Sequence, residues 1–352
     1  MIITFKALEI GTGDAFLLEN NGWRCLYDAG ASKSKIVSLL KKKGINHINL
    51  AICSHNDKDH ANGFLGIFES NIQIDEIWLP GNWCSIINYV KEHRLKIFWE
   101  LERGMIEDCE NESFNDEFND SFYDEREPIS IECFDEELGL LSEYVEYIYE
   151  SYFPYYYRYH IPYKLYINLE RILKIASKAY DSGCKIRWFE PKDQSVINSI
   201  DYGFTALNSA ELVRVKRIKD VSGFVKLLSL TESNKYSLVF EYAKGDVPIV
   251  RFSADSDCIN QSVFPYAKNI IVTAPHHGSE ANLNVYNHIG GDKIIWVRSD
   301  RKSRMRPCAT FKQQHTKYCL ACCNKNIISE LHFEYDELQM KWICKNGTVC
   351  NC

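Results

Sequence analysis

Long apolar segments are absent from this sequence of 352 residues. No run approaches the ~20 consecutive apolar residues that a membrane-spanning helix requires. The first residues, MIITFKALEIGTGDAF, also lack the positively charged start and the apolar stretch of a secretory signal peptide. These absences predict a protein of the cytoplasm that has no membrane partner.

Positive charge is outnumbered by negative charge. The chain has 41 lysines and arginines against 48 acidic residues, which gives a net charge of −7. This balance excludes a protein coated all over for nucleic acid, although a local basic groove is compatible with it. Without an export signal, the 14 cysteines are expected to be reduced thiols.

Basic residues are rarest in residues 100–150, which contain 19 acidic residues, two arginines and no lysine. Ten tyrosines follow within residues 144–166, and LYINLERILKIASKAY has the pattern of an amphipathic helix. We interpret residues 98–182 as an acidic loop and helical insertion between two parts of one core, 1–97 and 183–352. The tyrosines are more typical of a packed cap than of a surface that stacks bases. We expect this insertion to act as a lid or to bind a protein partner.

One short stretch, SHNDKDHANG at residues 54–63, is rich in side chains that bind metals. It contains His55, Asp57, Asp59 and His60 between an apolar strand, NLAIC, and a sequence compatible with a helix. The alternative is a polar loop with an aspartate that caps the helix. Four such residues at this spacing favour a metal site, for which imidazole and carboxylate ligands suit Zn²⁺ or Mn²⁺.

Two later stretches repeat this arrangement. FSADSD places Asp255 after an apolar strand, and TAPHHGSE places His276 and His277 after the next one. Alone, a histidine pair is usually a surface or core feature, and an aspartate after a strand is usually a turn residue. Because all three clusters follow strands, we expect them to converge on one site that holds one or two ions.

The order of these motifs, HxDxDH, then a strand that ends in aspartate, then PHHGS, resembles the metallo-β-lactamase superfamily. More narrowly, the chain resembles the hydrolase domain of ComEC-type competence proteins. The resemblance covers residues 1–95 and 184–310, and its motifs are LEIGTGDAFLLENNGWRCLYDAG, SHNDKDHANG, SNKYSLVFEY, VRFSADSD and APHHGS. It implies an α/β fold, a four-layer αββα sandwich with the active site along one edge of the paired sheets.

The resemblance also implies a division of the ligands. It places His55 and Asp57 on one ion and Asp59 and His60 on a second. Asp255 would bridge the two ions, and His276 or His277 would complete the set.

The sequence departs from the family pattern in three places. Ala254 replaces the glycine that usually precedes the bridging aspartate, and Arg306-Pro307 stands where the group tends to have His-Pro. No histidine between Glu69 and Asp255 follows a strand to supply a further ligand. The sequence therefore leaves the count at one or two ions of Zn²⁺ or Mn²⁺.

The expected chemistry is hydrolysis. A bound cation lowers the pKa of its water to about 7, so that hydroxide forms at neutral pH and attacks a phosphorus or carbonyl centre. Asp59 would orient or deprotonate this water, and His276 or His277 would protonate the leaving oxygen.

A basic cluster suggests the substrate. It consists of Arg301, Lys302, Arg304 and Arg306, and it suits phosphate; the alternative is a solvated charged loop. Beside a hydrolytic site, this cluster predicts a phosphodiesterase or nuclease. The ComEC-type resemblance implies DNA as the substrate, and a hydrolase domain with an insertion of its own would suit a multi-protein defence system. The alternatives are a hydrolase of a small nucleotide, ester or lactone, and a regulatory or scaffold subunit that presents the insertion to partners.

Seven cysteines fall in the last fifty residues. Cys319-x-x-Cys322 has the spacing of half a zinc site, and Cys350-x-Cys352 is a poor second half. The spacing between the halves matches no familiar zinc ribbon, so plain buried or surface thiols are the favoured interpretation.

Overall fold

A large mixed sheet forms one half of the molecule. The computed structural model describes residues 2–93, 120–131, 134, 163–192, 198–232, 234–258, 269–288, 294–301, 306–323 and 330–350. In spatial order the sheet contains β10 (Ser209–Glu211), β7 (Lys185–Pro191), β5 (Gln73–Pro80), β4 (His47–Ile52), β3 (Trp23–Tyr27), β2 (Phe16–Asn20), β1 (Ile3–Leu8), β17 (Glu330–Asp336) and β18 (Lys341–Cys344). Strands β3, β4, β5 and β7 run parallel to one another, and the other neighbours in this sheet are antiparallel.

A second sheet packs against the first. In spatial order it contains β16 (Lys317–Cys319), β15 (Ile295–Arg298), β14 (Ile271–Thr273), β13 (Val247–Phe252), β12 (Phe240–Lys244), β9 (Phe204–Ala206) and β8 (Asn198–Ser199). Strands β13 to β16 are parallel, and the other pairs are antiparallel. A separate two-stranded ribbon joins β6 (Ile129–Ser130) to β11 (Arg214–Val215).

Helices cover the outer faces of both sheets. No helix in the described part of the chain is long and apolar enough to cross a membrane. The α-helices with both ends among the described residues are α1 (Lys33–Lys42), α2 (Lys58–Phe68), α3 (Asn82–His93), α4 (Tyr163–Asp181), α5 (Val221–Leu230), α6 (Leu283–His288), α7 (Ala309–Gln313) and α8 (Leu320–Cys323).

Three apolar clusters show the order of the layers. Aromatic side chains such as Phe5, Phe204 and Phe252 fill the space between the sheets. Helices α1 to α5 bury their apolar faces on the outside of the first sheet, and α6 and α7 do so on the second. The predicted four-layer αββα sandwich is therefore confirmed.

Helix α2 begins earlier than the sequence suggested. It starts at Lys58, with Asp57 in extended conformation at its N-cap, so Asp59 and His60 lie in its first turn instead of a loop. The backbone N–H groups of His60 and Ala61 already bond to the carbonyl of Asp57. The placement of both side chains is therefore fixed by a helix.

The segment interpreted as an insertion is described in part. Its predicted amphipathic helix is α4, which packs into the apolar layer outside the first sheet. Most of the acidic stretch and nearly all of the tyrosine-rich stretch lie outside the described residues. The division at residues 97 and 182 stays a prediction.

Gly63 lets α2 approach the end of β3. Its N–H donates to Gly30 O at 2.8 Å, and a methyl group on Gly63 would lie 2.0 Å from Ala29 O. Alanine forms helices more readily than glycine. A loss of stability when alanine replaces Gly63 would therefore come from the close approach to Ala29 and not from helix propensity.

We expect Gly63→Ala to lower the free energy of unfolding by about 2 kcal/mol, because the helix must shift off the strand. Urea denaturation measures this change. Ser38→Ala, on the exposed side of α1, is the control and should leave stability unchanged or slightly raised. Equal stability of the two variants would show that α2 does not depend on this contact.

Candidate metal centre

The predicted site residues meet at one edge of the sandwich, where parallel strands of both sheets end. Asp28 follows β3 and the loop with His55 follows β4, in the first sheet. Asp255 lies just beyond β13 and His277 just beyond β14, in the second sheet. Two sheets therefore contribute to one site, as carboxyl ends of parallel strands commonly do.

Asp255 lies at the centre of this site and is 1% exposed. Its Oδ1 atom is 3.2 Å from His60 Nε2 and 3.8 Å from His277 Nε2. Its Oδ2 atom is 3.8 Å from His55 Nε2 and 3.7 Å from His276 Nε2. The two oxygens of one carboxylate thus face two different sets of histidines.

These side chains form two groups that share Asp255. Within each group, the candidate ligand atoms lie within 4.8 Å of one another; the groups are Asp14, His60, Asp255 and His277, and His55, Asp57 and Asp255. Asp59 adjoins the first group, because its Oδ2 is 3.2 Å from His277 Nε2. Neither of these groups of described residues includes His276.

Buried carboxylates hold two of the imidazoles from behind. His60 Nδ1 forms a hydrogen bond with Asp28 Oδ2 at 2.8 Å. His277 Nδ1 lies 3.1 Å from Asp14 Oδ1 as an ion-pair partner, without the alignment of a hydrogen bond. A carboxylate at Nδ1 fixes the ring orientation and leaves the Nε2 lone pair for a cation. Both Nε2 atoms consequently point at the same place, 3.2 Å from each other.

His55 is held through a serine. Ser54 Oγ donates to Asp28 Oδ2 at 2.9 Å, so it accepts from His55 Nδ1, also at 2.9 Å. The Ser54 N–H donates to Asp28 Oδ1 at 2.8 Å. Asp28 therefore orients two histidines, one directly and one through Ser54.

Asp14, Asp28 and Ser54 were not among the predicted site residues. The two aspartates stand in the motifs Gly13-Asp14-Ala15 and Asp28-Ala29-Gly30 that carried the resemblance. A carboxylate at a strand end looks like a turn residue until its histidine partner is known.

The site fits a cation. His55 Nε2 and Asp255 Oδ1 are buried and have no hydrogen-bond partner among the described residues, which is unusual for buried polar atoms. Oxygens of Asp57 and Asp255 lie 3.7 and 3.8 Å from His55 Nε2, too far for hydrogen bonds. A cation between these atoms would satisfy them, and this donor set suits Zn²⁺ or Mn²⁺.

The electrostatics of the site also favour positive charge there. Burial opposes a charge on His60, but Asp255 and Asp28 raise its pKa well above the usual value. Burial likewise opposes a charge on His277, but Asp14 and Asp255 raise its pKa to about 10. Burial opposes ionisation of Asp255, yet these histidines hold its pKa well below normal. A cation entering the site would take the place of the protons on the imidazoles.

Arg306 and His276 lie beside this centre. Burial lowers the pKa of His276 against the pull of Asp255, and Arg306 lowers it further. The neutral His276 Nε2 accepts from Arg306 Nη2 at 2.7 Å, and its Nδ1 is 3.2 Å from Asn282 Oδ1. The arginine is thus held at the edge of the site.

The other predicted phosphate-binding residues, Arg301, Lys302 and Arg304, are not described beside the candidate metal centre as Arg306 is. The side chain of Arg301 is exposed, and its backbone N–H donates to Gly11 O at 3.1 Å. Lys302 and Arg304 lie outside the described residues. Arg298 in the same stretch is buried and donates to His277 O at 2.6 Å, so it supports the site from within.

Two helices secure the loop that follows β4. The N–H of Asn56 donates to Thr231 O at 3.0 Å, at the end of α5. The Asn56 side chain donates to Asn168 O at 3.1 Å, and Arg171 Nη1 donates to Asn56 O. Asn168 and Arg171 belong to α4, so the helix that closes the proposed insertion also positions the loop that carries His55 and Asp57.

Comparison with known proteins finds a similar structure but no similar sequence. The chain matches no family model and no curated protein sequence. Among solved structures it is similar to the crystal structure of a diphosphatase from the PhnP family, with 9% sequence identity and a TM-score of 0.39, over 95% of this chain and 99% of that chain. The geometry of the ligands in this chain, and not this likeness, is the basis for its proposed function.

Asp28→Asn tests the role of the carboxylate behind His55 and His60. We expect metal affinity to fall 10- to 100-fold, because the amide cannot hold both histidines in the same tautomer. The fold should survive, since asparagine tolerates the left-handed backbone of residue 28, where φ is 56°. Titration against a chelating dye measures the affinity.

The control is Asp75→Asn, which removes a surface partner of His47 at 2.7 Å. It should bind metal as the unmodified chain does. Unchanged affinity in Asp28→Asn would contradict the proposed support.

Proposed function

We propose that this chain is a metal-dependent hydrolase that cleaves phosphodiester bonds. This proposal depends on the position of Asp255, whose two oxygens face the Nε2 atoms of His55, His60 and His277. Arg306 lies beside this group, where it contacts His276. In this proposal the ligands are His55, Asp57, Asp59, His60, Asp255 and His277, and the cofactor is one or two ions of Zn²⁺ or Mn²⁺.

The chain's own residues prepare the site for hydrolysis. When bound, the cation would lower the pKa of a coordinated water and polarise the phosphoryl oxygen. Asp14 and Asp28 keep the imidazoles oriented. Burial opposes ionisation of Asp59, but His277 and His60 lower its pKa, so its carboxylate stays ionised and is available as a ligand or to orient a water molecule.

Arg306 favours phosphate over an uncharged ester. Its planar guanidinium is permanently charged and binds phosphate oxygens in pairs. It cannot protonate a leaving group at neutral pH, so its role is to bind the substrate and balance its charge. In this proposal His276 keeps the guanidinium in place.

We propose DNA as the substrate on the basis of the ComEC-type resemblance and the basic residues that accompany Arg306. We also propose that residues 98–182 bind a protein partner, in a multi-protein defence system. Both proposals go beyond the geometry of the site, so each can fail while the hydrolase assignment stands.

The first experiment incubates the chain with Mn²⁺ or Zn²⁺ and with linear, circular and single-stranded DNA, bis(p-nitrophenyl) phosphate, or an uncharged nitrophenyl ester. We expect the phosphodiesters to be cleaved. Asp59→Asn should lower kcat by about 100-fold or more, while Asp246→Asn in an exposed hairpin turn serves as the control. Intact DNA with a cleaved small phosphodiester would remove the nuclease assignment alone. Ester cleavage without phosphodiester cleavage would overturn the proposal.

Arg306→Gln tests the choice of phosphate. Because a hydrogen bond to a charged group contributes about 1.5–3 kcal/mol, KM for the phosphodiester should rise roughly tenfold or more. Hydrolysis of any uncharged ester should change little. An equal loss on both substrates would mean that Arg306 supports the site's structure instead of binding phosphate.

A further inference from the structure

A cluster of three cysteines lies away from the candidate metal centre. Cys319 ends β16, Cys322 lies in α8, and Cys350 is close to the end of the chain. Their three Sγ atoms lie within 4.8 Å of one another. Cys319 and Cys350 are buried, and Cys322 is partly buried.

Two features of the fold bring these thiols together. Helix α8 begins directly after β16, so the Cys-x-x-Cys motif spans the junction between strand and helix. After β18, which belongs to the first sheet, the chain returns to the edge of the second. There the N–H of Cys350 donates to Lys317 O at 2.7 Å, which fixes the third thiol beside the other two.

We propose that Cys319, Cys322 and Cys350 bind a structural zinc ion, distinct from the ions of the candidate metal centre. Zinc–thiolate bonds of about 2.3 Å place the sulfurs of a tetrahedral site about 3.8 Å apart, and the three Sγ atoms lie within 4.8 Å of one another. The donors are soft sulfurs, whereas the other centre offers only nitrogen and oxygen, so the two sites select metals differently. Structural zinc is four-coordinate, and these thiolates supply three of its ligands.

The ion would stabilise the edge of the second sheet next to the active site. Cys319 pairs in register with Arg298 on β15, and Arg298 donates to His277 O. The zinc would therefore secure β16, α8 and the end of the chain behind the strand that supports His277. Metal binding of this kind contributes directly to folding free energy.

Cobalt substitution of the full chain provides the test. Thiolate ligands give Co²⁺ an intense sulfur-to-metal charge-transfer absorption in the near ultraviolet, which histidine and carboxylate ligands do not. We expect this band in the cobalt-loaded chain and also in Asp255→Asn. Cys319→Ser should lose the band, and its zinc content should fall by about one ion per chain. Cys184→Ser, at a buried cysteine elsewhere, is the matched control and should keep both the absorption band and the zinc content of the unmodified chain.

A measurement on the unmodified chain covers the case in which Cys319→Ser fails to fold. X-ray absorption of the zinc-loaded protein should show sulfur neighbours at about 2.3 Å. Purely nitrogen and oxygen scattering would overturn the proposal. So would a disulfide among these three residues, found by mass spectrometry after purification under reducing conditions.

Discussion

The candidate site depends on a carboxylate that is completely buried. Asp28 is 0% exposed, and a buried charge is tolerated only when hydrogen bonds satisfy it. Its partners come from the end of β4, through Ser54, and from the first turn of α2, through His60. One side chain thus ties three elements together and sets the direction of two imidazoles. Gly63 lets α2 approach closely enough for this contact to form.

The second sheet repeats this design around Asp14. Ser299, just beyond β15, donates to Asp14 Oδ1 at 2.5 Å, and Asp300 Oδ1 accepts from Gly13 N at 3.1 Å. Asp14 in turn faces His277, so a loop of the first sheet and a strand end of the second hold one histidine between them. The candidate metal centre can therefore assemble only when the two sheets pack together, which couples the site to the core of the whole sandwich.

The sequence predicted much of the fold, and it predicted that the three segments with candidate ligands would converge, because each of them follows an apolar strand. It could not identify Asp14 or Asp28 as supports, since their partners lie far away along the chain. It left His276 and His277 equivalent; the structure separates them, because His277 faces Asp14 and Asp59 whereas His276 faces Arg306.

Other features also required the folded chain. Ala254 replaces the expected glycine yet adopts its left-handed conformation, with φ of 47°. The sequence showed α4 as an amphipathic helix but gave no sign that its Arg171 binds the loop after β4. The clustering of Cys350 with Cys319 and Cys322 could not be read from local sequence, because it depends on the return of the chain to β16.

The side chains around Asp255 are central to the proposed function, because they must bind a catalytic cation. Anomalous diffraction from a crystal soaked in Zn²⁺ or Mn²⁺ tests this binding most directly. We expect an anomalous peak about 2.0–2.2 Å from His60 Nε2 and His277 Nε2, with Asp255 among the ligands. A fully soaked crystal with no peak there, and with both histidines still facing one another, would contradict the proposed metal centre.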